Sequence, residues 1–131
     1  MIVVDASALV DLFLELPLNQ DLLDRIERAD ELHAPHLIDL EVLSVLRRLV
    51  AAGKLSPEAA SMARGQFDDL GIERYSHVGL GDRIWALREN LTAYDAAYVA
   101  LSEWLGLPLV TSDARLARSS GHAATIESFA R

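Results

Sequence analysis

Short runs of apolar residues alternate along the chain with longer segments in which apolar positions recur every three or four residues. The short runs cover residues 2–4, 32–35, 72–75, 107–111 and 124–126, and their composition is typical of strands. The longer segments begin at residues 6 and 113 and cover 19–29, 37–52, 56–70, 80–89 and 92–105, with a spacing typical of helices. Strands that alternate with helices form parallel sheets covered on both faces, so the pattern predicts an α/β fold.

Residues at the ends of the predicted helices support these boundaries. Ser56 followed by Pro57 is typical of a helix N-terminus, because serine caps the free amides and proline fits the first turn. Gly53 and Gly106 follow helical segments and are typical of helix C-termini. The predicted architecture is therefore a three-layer α/β/α fold with a central parallel sheet of about four or five strands.

The composition is typical of one globular domain over residues 1–131. With 51% hydrophobic residues, a chain of this length buries a core without disulfides, and the absence of cysteine excludes thiol catalysis and cysteine-ligated zinc. No uncharged run approaches the ~18 residues of a membrane span. Residues 1–16 are apolar but contain two aspartates and no basic leader. We therefore expect no signal peptide and no membrane partner, and we expect the protein to be cytoplasmic.

The charge of the chain is acidic and evenly distributed. Twenty acidic residues outnumber 12 basic ones, which gives a formal net charge of −8. Neither end carries a charged tail. Because phosphate backbones are bound chiefly by lysine and arginine, this balance taken alone argues against a nucleic-acid partner. The positions of the acids along the chain change that conclusion.

Four acidic residues lie at or near the ends of predicted elements. Asp5 follows the first strand, Asp113 follows a later one, and Asp95 is in the first turn of a helix. Glu41 is inside a helix, at the border of its apolar face. Ligand sites of parallel sheets lie beyond the carboxyl ends of the strands, where helix N-termini also point. The four acids are therefore candidates for one shared site.

Each acid also has an explanation without chemistry. Asp5 and Asp113 are suited to capping helices, and residues 92–95 match a capping box in which the acid bonds back to the cap amide. An unpaired buried charge costs several kcal/mol, so Glu41 needs a cationic partner. Arg48, two turns further along on the same side, would be that partner if a metal cation is not.

Converging carboxylates favour a divalent cation, because their mutual repulsion raises their pKa values until a cation neutralises it. Oxygen ligands without cysteine select hard ions, so Mg²⁺, with Mn²⁺ as a substitute, is the expected occupant. Such ions activate water and stabilise displacement at phosphorus. Phosphodiester hydrolysis is the reaction that fits this set of residues. Four metal-bound acids would leave a modest excess of 16 acids over the 12 bases.

Four short segments contain these acids in a recognisable order. They are Ile-Val-Val-Asp-Ala-Ser at residues 2–7, Glu-Val-Leu-Ser-Val-Leu-Arg-Arg at 41–48, Tyr-Asp-Ala-Ala-Tyr-Val-Ala-Leu-Ser-Glu at 94–103 and Thr-Ser-Asp-Ala-Arg-Leu at 111–116. In order and spacing the segments resemble the PIN-domain family. In size and pattern the chain is similar to the VapC toxins of bacterial type II toxin–antitoxin pairs. The resemblance covers essentially the whole chain.

The resemblance implies a single PIN-like nuclease domain that acts as a Mg²⁺-dependent endoribonuclease and cleaves RNA with a metal-activated water. It implies that the metal-binding and catalytic acids are Asp5, Glu41, Asp95 and Asp113, with Asp113 in part a second-metal or water-mediated ligand. It also implies a homodimer, and a cognate VapB-like antitoxin whose C-terminal part lies across the active-site groove.

Residues beside the acids are candidates for supporting roles. Ser7 and Thr111 resemble the small hydroxyl residues of the family and would orient a carboxylate or a water, or else cap a helix or turn. Arg47, Arg48 and Arg115 are candidates for phosphate contact, because a guanidinium forks onto phosphate oxygens; pairing with an acid is the alternative.

The four histidines are expected to have surface or structural roles, and the large aromatic residues are expected to be structural. His33 and His36 have a metal-like spacing, but Pro35 breaks the helix that would place both rings on one face. The other two histidines have no paired ligand nearby in the sequence. Core or dimer-contact roles are expected for four aromatic residues, with base stacking as an alternative for one of them. These are Phe67, Trp85, Tyr98 and Trp104.

Three other functions are compatible with part of the pattern. A haloacid-dehalogenase-like hydrolase also begins with a strand and an aspartate, but it needs a second aspartate where this chain has Ser7. A receiver domain of a response regulator uses a lysine on a late strand, and the only lysine here is Lys54. A non-catalytic PIN-like binding scaffold is the third alternative, and the presence of all four acids counts against it.

Overall fold

The computed structural model describes residues 1–14 and 17–131, and the element bounds below refer to those residues. The strands are β1 (Ile2–Val4), β2 (Leu32–Pro35), β3 (Ile72–Tyr75), β4 (Leu109–Thr111) and β5 (Ile126–Ser128). The α-helices are α1 (Ala6–Leu14), α2 (Gln20–Glu27), α3 (Leu37–Ala51), α4 (Pro57–Asp68), α5 (Gly81–Ala86), α6 (Ala93–Leu105) and α7 (Ala114–Ala117), and a 3-10 turn covers Val78–Leu80.

The strands form one sheet in the order β3-β2-β1-β4-β5, and every pair is parallel. The chain builds outward from β1 to β3, then returns across the sheet to β4 and β5. The direction of winding therefore reverses between β1 and β4. In sheets of this kind the crevice beyond the carboxyl ends of the strands at that reversal is where ligands bind.

Helices cover the two faces of the sheet. On one face α1, α3 and α4 pack against one another, while α6 packs on β1, β2 and β4 with α5 beside it. Right-handed crossovers place the helices of the outward and return paths on opposite faces. The predicted α/β/α fold is confirmed, with five strands in the described sheet.

The core lies between β1, β4 and the two helix layers. Every residue of β1 and β4 is buried, as parallel strands with both faces covered require. In α6 the whole run 96–102 is buried, so the middle of this helix is enclosed by the sheet and by the neighbouring elements. Because the middle of α6 is enclosed, the helix has little freedom to move, and this fixes where its more exposed N-terminal residues lie.

The predicted helix ends are confirmed at the positions where the sequence signals were strongest. The Ser56 hydroxyl accepts the amide of Ala59 at 3.1 Å, and Pro57 opens α4. Gly106 ends α6 with a φ of 66°, a left-handed conformation that glycine adopts without cost. In the described residues no helix is both long and apolar enough to span a membrane.

Several predicted boundaries differ from the structure, and three of the differences have a physical cause. The helix at 80–89 is shorter, because Leu87 turns into the core and the chain then passes through turns to the buried Leu91. The fourth strand begins at Leu109 because Pro108 has no amide hydrogen to pair. The last strand begins at Ile126, which pairs with Leu109 and so sets a later register than residues 124–126.

The four aromatic residues divide into two groups. Phe67 and Tyr98 are buried core residues, as predicted. Trp85 and Trp104 are each 68% exposed, which excludes the core alternative for both. Trp104 lies on α6, whose buried face is filled by the run 96–102, and Trp85 lies on the short α5, which contains no buried residue. A role in contact with a second copy stays a prediction for these two tryptophans.

Candidate active site

An open cleft of about 610 Å³ lies at the carboxyl edge of the sheet, where the winding direction reverses. Its polar lining consists of Asp5, Ser7, Glu41, Ser44, Arg48, Tyr94, Asp95, Tyr98, Asp113 and Arg115. The four predicted acids are thus brought to one cleft from elements on both faces of the sheet. Each acid is near the start of a helix, because parallel strands deliver every following helix to the same edge.

Asp5 is the most deeply buried of the four acids, with 6% of the residue exposed. Its Oδ1 atom accepts hydrogen bonds from the Ser7 hydroxyl at 2.7 Å and the Ala8 amide at 2.9 Å. Its Oδ2 atom accepts one from the Thr111 hydroxyl at 2.5 Å. The capping role proposed for Asp5 is therefore present, but the side chain is also held from across the sheet by β4.

The pKa of Asp5 is raised to about 6 by its environment. Burial is the main cause, and the nearby Asp113 carboxylate adds to it, while the hydrogen bonds from Thr111, Ala8 and Ser7 oppose it. Three donors do not offset the cost of removing this carboxylate from water. At neutral pH the cleft therefore contains a poorly solvated carboxylate that a cation would stabilise.

Ser7 and Thr111 connect the two central strands beneath the cleft. Their hydroxyl oxygens are 3.2 Å apart, and both contact Asp5. Ser7 also accepts the amide of Ser112, and Thr111 accepts the amide of Asp113. The two hydroxyls therefore orient Asp5 and shape the turn that leads to Asp113, which combines both roles expected for them.

Glu41 is half-buried on α3 and faces α6 across the cleft. Burial raises the pKa of Glu41, the Asp95 carboxylate raises it further, and the neighbouring Tyr98 hydroxyl lowers it. In residues 1–14 and 17–131, no arginine or lysine forms an ion pair with Glu41. The alternative in which Arg48 pairs with Glu41 is thus wrong: Arg48 is exposed at the cleft wall, where water solvates its charge.

Asp95 and Asp113 are joined by one arginine. A terminal nitrogen of Arg115 lies 2.8 Å from Asp95 Oδ2 and 3.1 Å from Asp113 Oδ2. The other oxygen of Asp113 accepts the amides of Arg115 and Leu116, so its predicted cap of α7 is present. Thr92 caps α6 by accepting the amide of Asp95, while the Asp95 carboxylate points to Arg115 instead of back to the cap.

The donor set of the cleft has the chemistry of a magnesium site, but its side chains are not yet gathered around one point. All of the acidic donors are oxygen atoms, and Glu41 has no cationic partner in the described residues. Across the same residues, no three acidic or histidine side chains are close enough together to hold one ion. The Arg115 guanidinium lies between Asp95 and Asp113, at the place where a positive charge is needed.

Sequence reasoning did not identify two tyrosines of the cleft. Tyr98 is a core residue whose hydroxyl faces the acids, and Tyr94 is 65% exposed at the rim. The spacing of Asp95 and Tyr98, three residues apart on one helix, is a signal that would have found the first of them. Arg47, by contrast, lines a separate apolar groove between α3 and α4 and does not line this cleft.

The predicted histidine roles agree with the structure. His33 is buried, with Nδ1 2.7 Å from the Tyr75 hydroxyl and Nε2 3.0 Å from Glu31. His122 contacts the Ser119 hydroxyl at 2.9 Å. Neither histidine lines the acidic cleft.

Comparison with known proteins identifies the family. The PIN domain pattern matches residues 2–121. The chain is 47% identical over 116 residues to ribonuclease VapC9 of Mycobacterium tuberculosis, covering 88% of each protein. It is 40% identical over 127 residues to ribonuclease VapC12 of the same organism, covering 97% of this chain and 98% of that one. The crystal structure of PAE2754 from Pyrobaculum aerophilum superposes with a TM-score of 0.72 at 26% identity, covering 97% of this chain and 82% of that one.

Both the matched pattern and the relatives extend over the segments that contain Asp5, Glu41, Asp95 and Asp113. The relatives have nearly the same length as this chain, so the likeness is not confined to a fragment of them. The chain therefore belongs to the PIN-domain family and, within it, to the VapC ribonucleases.

Proposed function

We propose that the protein is a Mg²⁺-dependent endoribonuclease and the toxin of a type II toxin–antitoxin pair. One observation supports this above all others. Four acids from both faces of the sheet line a single cleft at its carboxyl edge, and Glu41 faces that cleft without an ion pair to any described residue. Membership of the VapC ribonucleases supports RNA as the substrate.

The proposed metal ligands are Asp5, Glu41, Asp95 and Asp113. Asp5 is held by β4 and α1 and needs no movement to keep its place. Asp95 and Asp113 would have to leave Arg115, and Glu41 supplies the carboxylate from the opposite layer. Bound Mg²⁺ would supply the positive charge that activates water and stabilises negative charge at a phosphodiester.

The chain's own residues would orient RNA in the cleft. The Ser7 hydroxyl is committed to Asp5 and to the Ser112 amide, so it is not free to act as a nucleophile. Arg48 and Arg115 lie on the cleft wall and are suited to phosphate oxygens. A net charge of −8 does not oppose this, because the negative charge of the cleft is what a metal would neutralise.

The proposed protein partners are a VapB-like antitoxin and a second copy of the chain. Leu40 and Tyr94, at the rim of the cleft, are 70% and 65% exposed, and such a rim is suited to a covering peptide. Four acids in the cleft against two arginines favour a cationic inhibitory segment. The exposed Trp85 and Trp104 support a homodimer contact elsewhere on the surface.

Metal removal tests the proposed activity directly. Purified protein is expected to cleave RNA in the presence of Mg²⁺, to lose that activity in EDTA, and to regain it when excess Mg²⁺ or Mn²⁺ is added. Gel analysis of a mixed RNA substrate measures the cleavage. Cleavage that persists in EDTA after exhaustive dialysis would contradict the metal dependence.

Arg115→Ala is expected to move two affinities in opposite directions. The guanidinium competes with the metal for Asp95 and Asp113, so its removal should strengthen Mg²⁺ binding. Arg115 is 62% exposed, and exposed ion pairs are worth up to about 1 kcal/mol, so the gain should be no more than about 5-fold. The KM for RNA should rise several-fold, because a phosphate contact is lost.

Calorimetric titration with Mg²⁺ and steady-state cleavage measure the two quantities. Arg118→Ala removes the same charge from an exposed residue just after α7 that does not line the cleft, so it should change neither. Weaker Mg²⁺ binding in Arg115→Ala would show that the arginine supports the site instead of competing for it.

A further inference from the structure

The Tyr98 side chain places a polar atom at the floor of the cleft. Tyr98 is on α6, one turn after Asp95, and only 1% of the residue is exposed. Its ring belongs to the hydrophobic core, while its hydroxyl end contributes to the lining of the acidic cleft. The side chain therefore connects the rigid centre of the fold to the acids.

The Tyr98 hydroxyl has no hydrogen-bond partner in the part of the chain that the structure describes. Leaving a buried hydroxyl unsatisfied costs about 1–3 kcal/mol, and a phenylalanine would fill the same space without that cost. A tyrosine at this position is therefore not explained by core packing alone.

Three carboxylates share the cleft with the hydroxyl and come from different parts of the chain. Glu41, on α3, has the largest electrostatic effect on the hydroxyl. Asp5 and Asp95 have smaller effects. Burial raises the pKa of Tyr98, and the Glu41 carboxylate raises it further. The group therefore stays protonated and always has one hydrogen to donate. Donation to a carboxylate is the interaction that this position favours.

The hydroxyl and Glu41 are close but not yet bonded. The two groups are close enough for each to alter the pKa of the other. Their geometry nevertheless falls short of a hydrogen bond in the described residues. The Tyr98 ring is fixed by the core, whereas Glu41 is only half-buried at the cleft and has more freedom to turn. In this pair the tyrosine side chain is therefore fixed, and the glutamate side chain is the one that can move.

We propose that Tyr98 is a positioning residue that donates a hydrogen bond to the Glu41 carboxylate and so holds it in place for a divalent cation. This inference rests on the proposed metal-dependent function and extends it to a residue outside the set of acids. Tyr98 is too deeply buried to touch RNA, so it acts through Glu41. Groups that orient a metal ligand typically contribute 10–100-fold in affinity or activity.

Tyr98→Phe separates this role from a structural one. Removal of the unsatisfied hydroxyl should leave the melting temperature of the metal-free protein unchanged or higher. Mn²⁺ affinity, measured by calorimetry, should fall about 10-fold, and excess Mn²⁺ should restore the rate of RNA cleavage. A Mn²⁺ affinity equal to that of the wild type, or a loss of activity that excess Mn²⁺ does not restore, would overturn the proposal.

Tyr75→Phe is the matched control. The Tyr75 hydroxyl is 2.7 Å from His33 Nδ1, away from the cleft, so this variant removes an existing hydrogen bond. Its melting temperature should fall, while its Mn²⁺ affinity should not change. The two variants therefore remove the same atom with opposite expected consequences.

A double-mutant cycle tests whether Tyr98 acts through Glu41. In a Glu41→Gln background, Tyr98→Phe should change Mn²⁺ affinity by much less than it does in the wild type. An equal effect in both backgrounds would overturn the inference. Wild-type protein that binds no Mn²⁺ would instead overturn the proposed function, so the two failures are distinguishable.

Discussion

Asp5→Asn is expected to lower the rate of RNA cleavage at saturating Mg²⁺ by at least about 100-fold. Residues that merely orient a metal ligand contribute 10–100-fold, so loss of a ligand charge should cost more. The amide is nearly the same size as the carboxylate and still accepts the Ala8 amide, so the cleft keeps its shape. What changes is one negative charge at the centre of the proposed site.

Cleavage of a defined RNA by purified wild type and variant measures this effect. Asp39→Asn is the matched control, because Asp39 forms an ion pair with Arg74 and does not line the cleft. It should keep full activity. Equal cleavage by Asp5→Asn and wild type would remove Asp5 from the proposed catalytic set.

The same substitution is expected to stabilise the metal-free protein at neutral pH. Burial raises the pKa of Asp5 from 3.8 to about 6, so the folded state binds the proton more tightly than the unfolded state does. Stability contributed by this group is therefore greatest at low pH and falls as the pH rises from about 4 to about 6. The full loss is about 3 kcal/mol at pH 7.

Asparagine carries no charge and avoids that loss. We expect the variant to exceed the wild type by about 1–3 kcal/mol at pH 7 and by little below pH 4. The corresponding rise in melting temperature is roughly 3–10 °C. Thermal unfolding in EDTA at several pH values measures the difference between the two proteins, which cancels the contributions of titrating groups that do not interact with Asp5.

Mg²⁺ should reverse the order of stability. A ligand that binds only the folded state stabilises it by mass action, so saturating Mg²⁺ should raise the melting temperature of the wild type more than that of Asp5→Asn. A variant that is less stable than the wild type at pH 7 without metal would contradict the assignment of a poorly solvated carboxylate. Such a result would indicate that the hydrogen bonds from Ser7 and Thr111 outweigh burial.

The secondary structure was largely readable from the sequence because its signals are local. Strand β1 is a short β-branched run that ends at Asp5, and α4 begins at a serine and a proline. The errors occurred where tertiary contacts outweigh local pattern. Leu87 ends α5 by turning into the core, and the pairing of Ile126 with Leu109 sets the register of the last strand.

The partners of the charged residues were not readable in the same way. The choice between Arg48 and a metal for Glu41 was open, since a spacing of two helical turns permits contact without requiring it. The structure leaves Arg48 in solvent, while Arg115 is held by Asp95 and Asp113. Ion pairs between different helices and strands depend on the distances between side chains in the folded protein, and the sequence does not give those distances.

By itself, the sequence determined which acids follow strands or open helices, and hence that they would meet at one edge of a parallel sheet. Only the tertiary structure decided what each acid contacts there. It holds Asp5 with donors from two elements, places Arg115 between Asp95 and Asp113, and turns the Tyr98 hydroxyl toward Glu41. The physical reason is that backbone pattern is a property of neighbours along the chain. Charge neutralisation and hydrogen-bond satisfaction are instead properties of neighbours in space.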